Sequence, residues 1–187
     1  DVPYKVAINE AVELAKSYGH TTVSEGRLFG PQQAGLVSAA ERGLLDIDVN
    51  SYVDYLDRKI IAPPWFGREY HNRYRIAGMK IALDGSPQGR TAWRTIPYLL
   101  PPDGQKAGYR GYPVIPDTKV IEGLFDEAYR NGWPAHVHAN GDAAIDAFLT
   151  AYEFARAGDY SRPWNVTTIH TQFMREDQIP KFVKYKV

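Results

Sequence analysis

Apolar residues along this chain repeat with the helical period in some stretches and gather into short blocks between them, as expected of helices and strands in alternation. From Val6 to Tyr18, the residues Val6, Ala7, Ala11, Leu14 and Ala15 fall near one helical face, and Gly19 follows as a stop. Thr21-Thr22-Val23 reads as a strand. Pro31 to Arg42 carries Ala34, Leu36, Val37, Ala39 and Ala40 with a weaker helical period that Gly43 ends. Leu44 to Val49 predicts the next strand and Tyr52 to Ile61 a helix, before Pro63-Pro64 interrupts regular structure. Ile76 to Leu83 is apolar apart from Gly78 and Lys80, which suits a strand buried on both faces and makes Lys80 conspicuous.

The second half repeats the alternation. Residues 97–116 are rich in Pro and Gly, a length of irregular chain that inside a compact domain points to a lid or substrate loop. Asp117 is placed to cap a helix whose stripe is Val120, Ile121, Leu124, Phe125, Ala128 and Tyr129, closed by Asn131-Gly132. Trp133 to Val137 reads as a short buried strand. Gly141 permits a sharp turn, and Asp142 is expected to cap the helix carried by Ala144, Ile145, Phe148, Leu149 and Tyr152 as far as Gly158. A strand over Asn165 to His170 and a helix from near Glu176 complete the series. Repeated βα units imply right-handed crossovers and a parallel sheet. No Gly-rich phosphate loop follows any strand, which favours a closed (β/α)8 barrel over an open sheet. Such a barrel needs ~250 residues, so the chain is expected to be one domain holding an incomplete segment of it, about strands 2 to 6.

Composition narrows the partners. Lys+Arg and Asp+Glu are both 22 in the 187 residues, so no net charge favours nucleic acid or an anionic membrane, and the function must lie in a local site. There is no cysteine, which removes disulfides and thiolate ligands and leaves His, Asp, Glu and modified Lys for any metal. No stretch approaches the ~20 apolar residues of a membrane span. Asp1-Val2-Pro3-Tyr4-Lys5 does not open a signal peptide, so the chain is expected to be soluble, in a compartment its sequence does not name.

The candidate chemistry sits at strand ends. Lys80, His138 and His170 fall on three separate predicted strands, followed by Asp84-Gly85-Ser86, Asn140-Gly141-Asp142 and Thr171-Gln172. The carboxyl ends of parallel strands are where α/β folds collect functional groups. Neutral imidazole is a common zinc ligand, and a buried lysine loses its charge readily enough to form a carbamate with carbon dioxide. One isolated histidine would more often be a hydrogen-bonded core residue, but two at equivalent strand ends favour a metal site.

In this order, Met79-Lys80-Ile81-Ala82-Leu83-Asp84-Gly85-Ser86 with Arg90-Thr91-Ala92, then His136-Val137-His138-Ala139-Asn140-Gly141-Asp142-Ala143-Ala144-Ile145-Asp146, then Thr168-Ile169-His170-Thr171-Gln172, resemble the amidohydrolase superfamily. The likeness is to its family-3 branch, which includes N-substituted formamide deformylase-like enzymes, and it extends from about Val6 to the end. The resemblance implies a metal-dependent hydrolase on a (β/α)8 barrel that cleaves carbon-nitrogen bonds of amide type, other than peptide bonds, in a small-molecule substrate. It puts Lys80 at the carboxylated fourth-strand lysine and His138 and His170 at the fifth- and sixth-strand ligands of one or two divalent ions, zinc foremost. His136 is expected to face away from that site and to be structural. The loop from Asp84 to Arg90 is expected to shape the substrate pocket, Asp142 to cap a helix rather than catalyse, and Trp93, Tyr98, Tyr109 and Tyr112 either to pack the long loop or to receive an apolar group on the substrate nitrogen.

The departures count too. No His-x-His precedes the first helix, and no residue after His170 supplies the eighth-strand aspartate that is the expected catalytic group, so both belong outside this chain. The chain is therefore expected to be an excised or partial piece of a longer protein, inactive alone, with exposed sheet edges that a second copy or a complementing segment would cover. The alternative of another class is a non-catalytic binding or regulatory barrel that has lost its metal site.

Overall fold

The computed structural model describes residues 4–187, so Asp1-Val2-Pro3 of the stretch read as lacking a signal peptide lie outside the described residues. The chain divides into two compact units, residues 1–80 and 81–187. In the first, α1 (Tyr4–Ser17) precedes β1 (Thr22–Leu28), α2 (Gly30–Glu41), β2 (Asp48–Asp54), a 3-10 helix over Tyr55–Ile60 and β3 (Tyr74–Ala82), whose last two residues belong to the second unit. The pairings are parallel, with Thr22 opposite Asp48 and Asp54 opposite Lys80. Strand β3 is buried along almost its whole length, as a run apolar on both faces requires.

Two expected elements shift. The strand read over Leu44 to Val49 begins at Asp48 instead, because pairing starts where the Asp48 amide donates to the Thr21 carbonyl, 3.1 Å. It then takes in Tyr52 to Asp54, read as helical. Val49, Ser51 and Val53 are buried at every second position, the period of a strand. Only the 3-10 turn remains of the predicted helix, capped by Asp54, whose carboxylate accepts from the Leu56 amide at 3.0 Å.

The second unit holds α3 (Thr118–Asn131), β4 (Ala135–Ala139), α4 (Asp142–Arg156), β5 (Val166–His170) and α5 (Ile179–Tyr185). Asp117 caps α3 as expected, accepting from the Lys119 amide, and Gly132 closes it at φ 67°. β4 and β5 are parallel, with Ala139 opposite His170, and the Leu83 amide beyond β3 donates to the His138 carbonyl at 3.0 Å. Strand hydrogen bonding follows chain order, β1-β2-β3-β4-β5. Helices α3 and α4 pack together through Phe125 and Phe148, both fully buried with ring centres 5.6 Å apart.

Burial alternates along β4: Ala135, Val137 and Ala139 are buried while His136 and His138 between them are half-buried. His136 therefore shares a face with His138, against expectation, because residues two apart on a strand point the same way. Asp142 is not the helix cap either. Gly141 occupies that place in extended conformation, and Asp142 is the first residue of α4 with its carboxylate engaged elsewhere.

Candidate functional site

The two histidines read as ligands meet in the second unit. His138 near the end of β4 and His170 at the end of β5 have ring centres 4.7 Å apart at 77°. With metal-nitrogen bonds of about 2.1 Å, two imidazoles on one ion bring their ring centres to roughly 4.6–5.3 Å for angles at the metal of about 90–109°, so this pair falls at the narrow end of what a shared divalent ion allows. His170 is exposed and holds φ 78°, with Thr171 at φ 50° after it, two consecutive left-handed residues that are not glycine. Such backbone costs about 1–3 kcal/mol per residue and persists only where neighbours fix it. Here the Thr171 amide donates to Ala139 O at 3.1 Å and the Phe173 amide to Asn140 O at 3.0 Å, strapping the turn after β5 onto the turn after β4.

Around His138 the protein has assigned one ring nitrogen. Nε2 lies 2.9 Å from the Gly85 carbonyl oxygen and 3.3 Å from Asp84 Oδ1, two acceptors set against one donor, Asn140 Nδ2 at 3.2 Å, a balance that favours the hydrogen on Nε2 and the lone pair on Nδ1. Asn140 Nδ2 donates to the same carbonyl at 2.9 Å. Asn140 Oδ1, in contrast, is buried with no hydrogen-bond partner among the described residues, which leaves one acceptor of this corner unmatched. Two nitrogen donors and a spare acceptor suit an ion with a taste for imidazole. Among the described residues no group of three or more His, Cys, Asp or Glu could hold a metal without help.

Asp84 organises this corner. Its buried carboxylate accepts from the amides of Asn140 at 2.9 Å, Gly141 at 2.7 Å and Trp93 at 2.9 Å, besides facing His138. Three amides from two segments thus converge on one charge. The approach is so close that a Cβ on Gly141 would stand 1.8 Å from the Trp93 carbonyl oxygen, and one on Gly85 2.0 Å from Thr91 Oγ1. The loop is longer than the Pro/Gly stretch read from sequence, with no helix or strand over residues 83–117. Arg94 donates to Arg110 O at 2.7 Å and Tyr98 to Tyr109 O at 2.9 Å, so it folds back on itself, and the Tyr98 and Tyr109 rings lie 5.9 Å apart. Arg90 is exposed at φ 54°, its guanidinium donating to Pro101 O at 3.1 Å.

Asp142 ties the loop to the turn after β5. It accepts from the Thr95 amide at 2.9 Å, from the Thr95 hydroxyl, and from Arg175 Nη1 at 3.2 Å. Burial pushes its carboxyl up, but those hydrogen bonds outweigh burial and hold it below the usual carboxylate range. Arg175 also forks onto Asp146 with two contacts of 3.0 Å. Its role was not legible in the sequence, where it is one basic residue before a helix. Asn140 and Asp84 did carry a signal, as polar residues directly after apolar strands.

Lys80 lies in the first unit, 7% exposed near the end of β3. Burial lowers its pKa to about 8, the Arg27 charge adds to this, and Asp54 opposes it. Asp54 is fully buried and takes Arg27 Nε at 2.7 Å. A lysine of this kind carries an appreciable neutral fraction near neutral pH, which is what carbamate formation requires.

Residues 3–187 match a sequence family described as amidohydrolase family. Two solved structures are similar to the chain. An uncharacterized metal-dependent hydrolase from Pyrococcus furiosus is 27% identical with a TM-score of 0.81, over 98% of this chain and 36% of that one. One from Pyrococcus horikoshii OT3 is 27% identical with a TM-score of 0.82, over 98% of this chain and 35% of that one. The chain thus spans about a third of the length of those proteins. No curated protein matches it. The parallel βα series is an incomplete segment of a (β/α)8 barrel.

Proposed function

This chain belongs to the amidohydrolase family, and from that premise we propose that the protein it represents is a metal-dependent hydrolase of amide-type carbon-nitrogen bonds other than peptide bonds. The observation that carries the reading is the His138–His170 ring pair, 4.7 Å apart, with the His138 Nε2 side already hydrogen-bonded. His138 through Nδ1 and His170 would hold a divalent ion, zinc by preference for imidazole, and Lys80 is proposed as a carbamate ligand in the intact protein. Bound there, the ion would supply Lewis-acid chemistry, polarising the amide carbonyl and making water a competent nucleophile near neutral pH.

The chain's own residues prepare that chemistry. Asp84 and the Gly85 carbonyl fix the tautomer and orientation of His138, and the Asp84 amide cluster holds the loop after β3 beside it. Arg90 anchors the loop tip through Pro101, so Asp84 and Arg90 shape the substrate pocket from its two ends. The substrate is a small amide, and a balanced charge gives nucleic acid or an anionic membrane no foothold. No helix among the described residues is long and apolar enough to cross a membrane. Strands β1 and β5 each pair with one neighbour among the described residues, which suits association with a second copy or a complementing segment.

The test is metal analysis and amide hydrolysis by the full-length protein and its His138→Ala and His170→Ala variants. Each variant is expected to lose bound metal and at least about a hundredfold in activity. Full metal occupancy in both variants would end the reading.

A further inference from the structure

Arg94 makes no ion pair with any carboxylate among the described residues, and its Nε is buried without a hydrogen-bond partner. Its guanidinium lies 4.5 Å from the Phe173 ring centre and 5.3 Å from that of Tyr98, held between two aromatic faces. The backbone beneath it is pinned at three successive amides: Trp93 to Asp84 Oδ2 at 2.9 Å, Arg94 to Arg110 O at 2.7 Å, Thr95 to Asp142 Oδ1 at 2.9 Å. Packing alone would not need a guanidinium, since a long apolar side chain would fill the space between the rings without desolvating a charge. The residue as a whole is only half-buried.

Its place ties it to the histidines. Phe173 is three residues beyond His170 and donates its amide to Asn140 O, and Trp93 hangs on the carboxylate that faces His138. The loop around it is basic although the whole chain is neutral, with Arg90, Arg94, Lys106 and Arg110 against Asp103 between residues 85 and 116.

We infer that Arg94 is a substrate-binding residue that takes a carboxylate carried by the substrate, so that the site selects amides bearing an acidic group. A guanidinium fork matches a carboxylate in two parallel hydrogen bonds, and one already immobilised by stacking loses little freedom in making them. The inference rests on the hydrolase reading for its reaction but not for its binding.

Two measurements separate these. In the metal-loaded full-length enzyme, kcat/KM is compared for para-acetamidobenzoate and its neutral counterpart para-methylacetanilide. Wild type is expected to prefer the carboxylate about tenfold or more, and Arg94→Met to bring the ratio to about one, with Arg94→Lys between. Each ratio is taken within one variant, so lost folded protein cancels. No preference in wild type, or a ratio unchanged in Arg94→Met, overturns the inference. In metal-free protein, benzoate is titrated while the Arg94 Nε–H signal is followed by nitrogen-15 NMR. A saturable shift, lost on titrating toluenesulfonamide in place of benzoate, supports the carboxylate site even if neither amide is hydrolysed, an outcome that would count against the hydrolase reading alone. No shift with benzoate overturns it.

Discussion

At the scale of single residues, the chemistry of this chain is held by carboxylates that do not themselves reach outward. Asp84 is the clearest, with three amides and an imidazole around one buried charge. Asp84→Asn puts an amide hydrogen against backbone donors, and with charge-assisted bonds worth about 1.5–3 kcal/mol each, a loss of about 3–5 kcal/mol is expected in urea unfolding. A loss under about 1 kcal/mol would mean that water satisfies those amides as well as the carboxylate does. Asp142 gives a pH signature. Its folded carboxyl is held low, so the stability it contributes is present above the ordinary carboxylate pKa and is lost as pH falls through the lower folded value. Unfolding measured from pH 5 downward should therefore show a steeper acid loss for wild type than for Asp142→Asn, and parallel curves would contradict the assignment. His138, His170 and Lys80 drew attention because each is a polar residue at or near the end of a strand. Arg175 did not, because two of its three carboxylate partners, Asp142 and Asp146, are chosen by how the turn after β5 meets α4.

At the scale of elements, burial decided which were readable. β3 announced itself as a continuous apolar run because it is covered on both faces, and α3 by its stripe and its Asp117 and Gly132 ends. β1 was read only at its start, Thr22 and Val23, since most of its residues are exposed and Ser24 to Arg27 carry no apolar alternation. β2 was misplaced because the apolar pair Leu45 and Ile47 is buried outside any strand, while pairing set the strand's start at Asp48. Close approach between elements was equally invisible. Gly141→Ala would drive a Cβ into the Trp93 carbonyl, where backbone cannot yield, and is expected to cost more than about 3 kcal/mol. Gly123, mid-way along α3 with nothing within 4 Å of a Cβ, is the internal contrast. Gly123→Ala is expected to stabilise by about 0.5–1 kcal/mol. Thermal or urea midpoints of the two variants moving in the same direction would contradict the loop docking described above.

At the scale of the whole molecule, the chain aligns with about a third of the length of the hydrolases it matches, and the groups proposed to bind metal are correspondingly few. Two histidines, with the lysine uncarbamylated, fall short of the three or four ligands a zinc site uses, and the described residues offer no cluster of three carboxylates or imidazoles in their place. The parallel βα order was readable from alternation, because each βα unit carries its own pattern; the full ligand set was not, because in a barrel it is gathered from several strand ends. Zinc added to the 187-residue chain is expected to bind in the micromolar range or more weakly, raising the melting temperature little at stoichiometric metal. His138→Ala and His170→Ala should each abolish even that, since one imidazole is a poor site. The full-length protein is expected to bind tightly, and in it Lys80→Ala should lower the metal content and remove any bicarbonate-dependent gain in activity. Calorimetric titration of both proteins decides the matter. Tight, stoichiometric zinc binding by the 187-residue chain, unaffected by losing either histidine, would place the ligands on residues other than those assigned here.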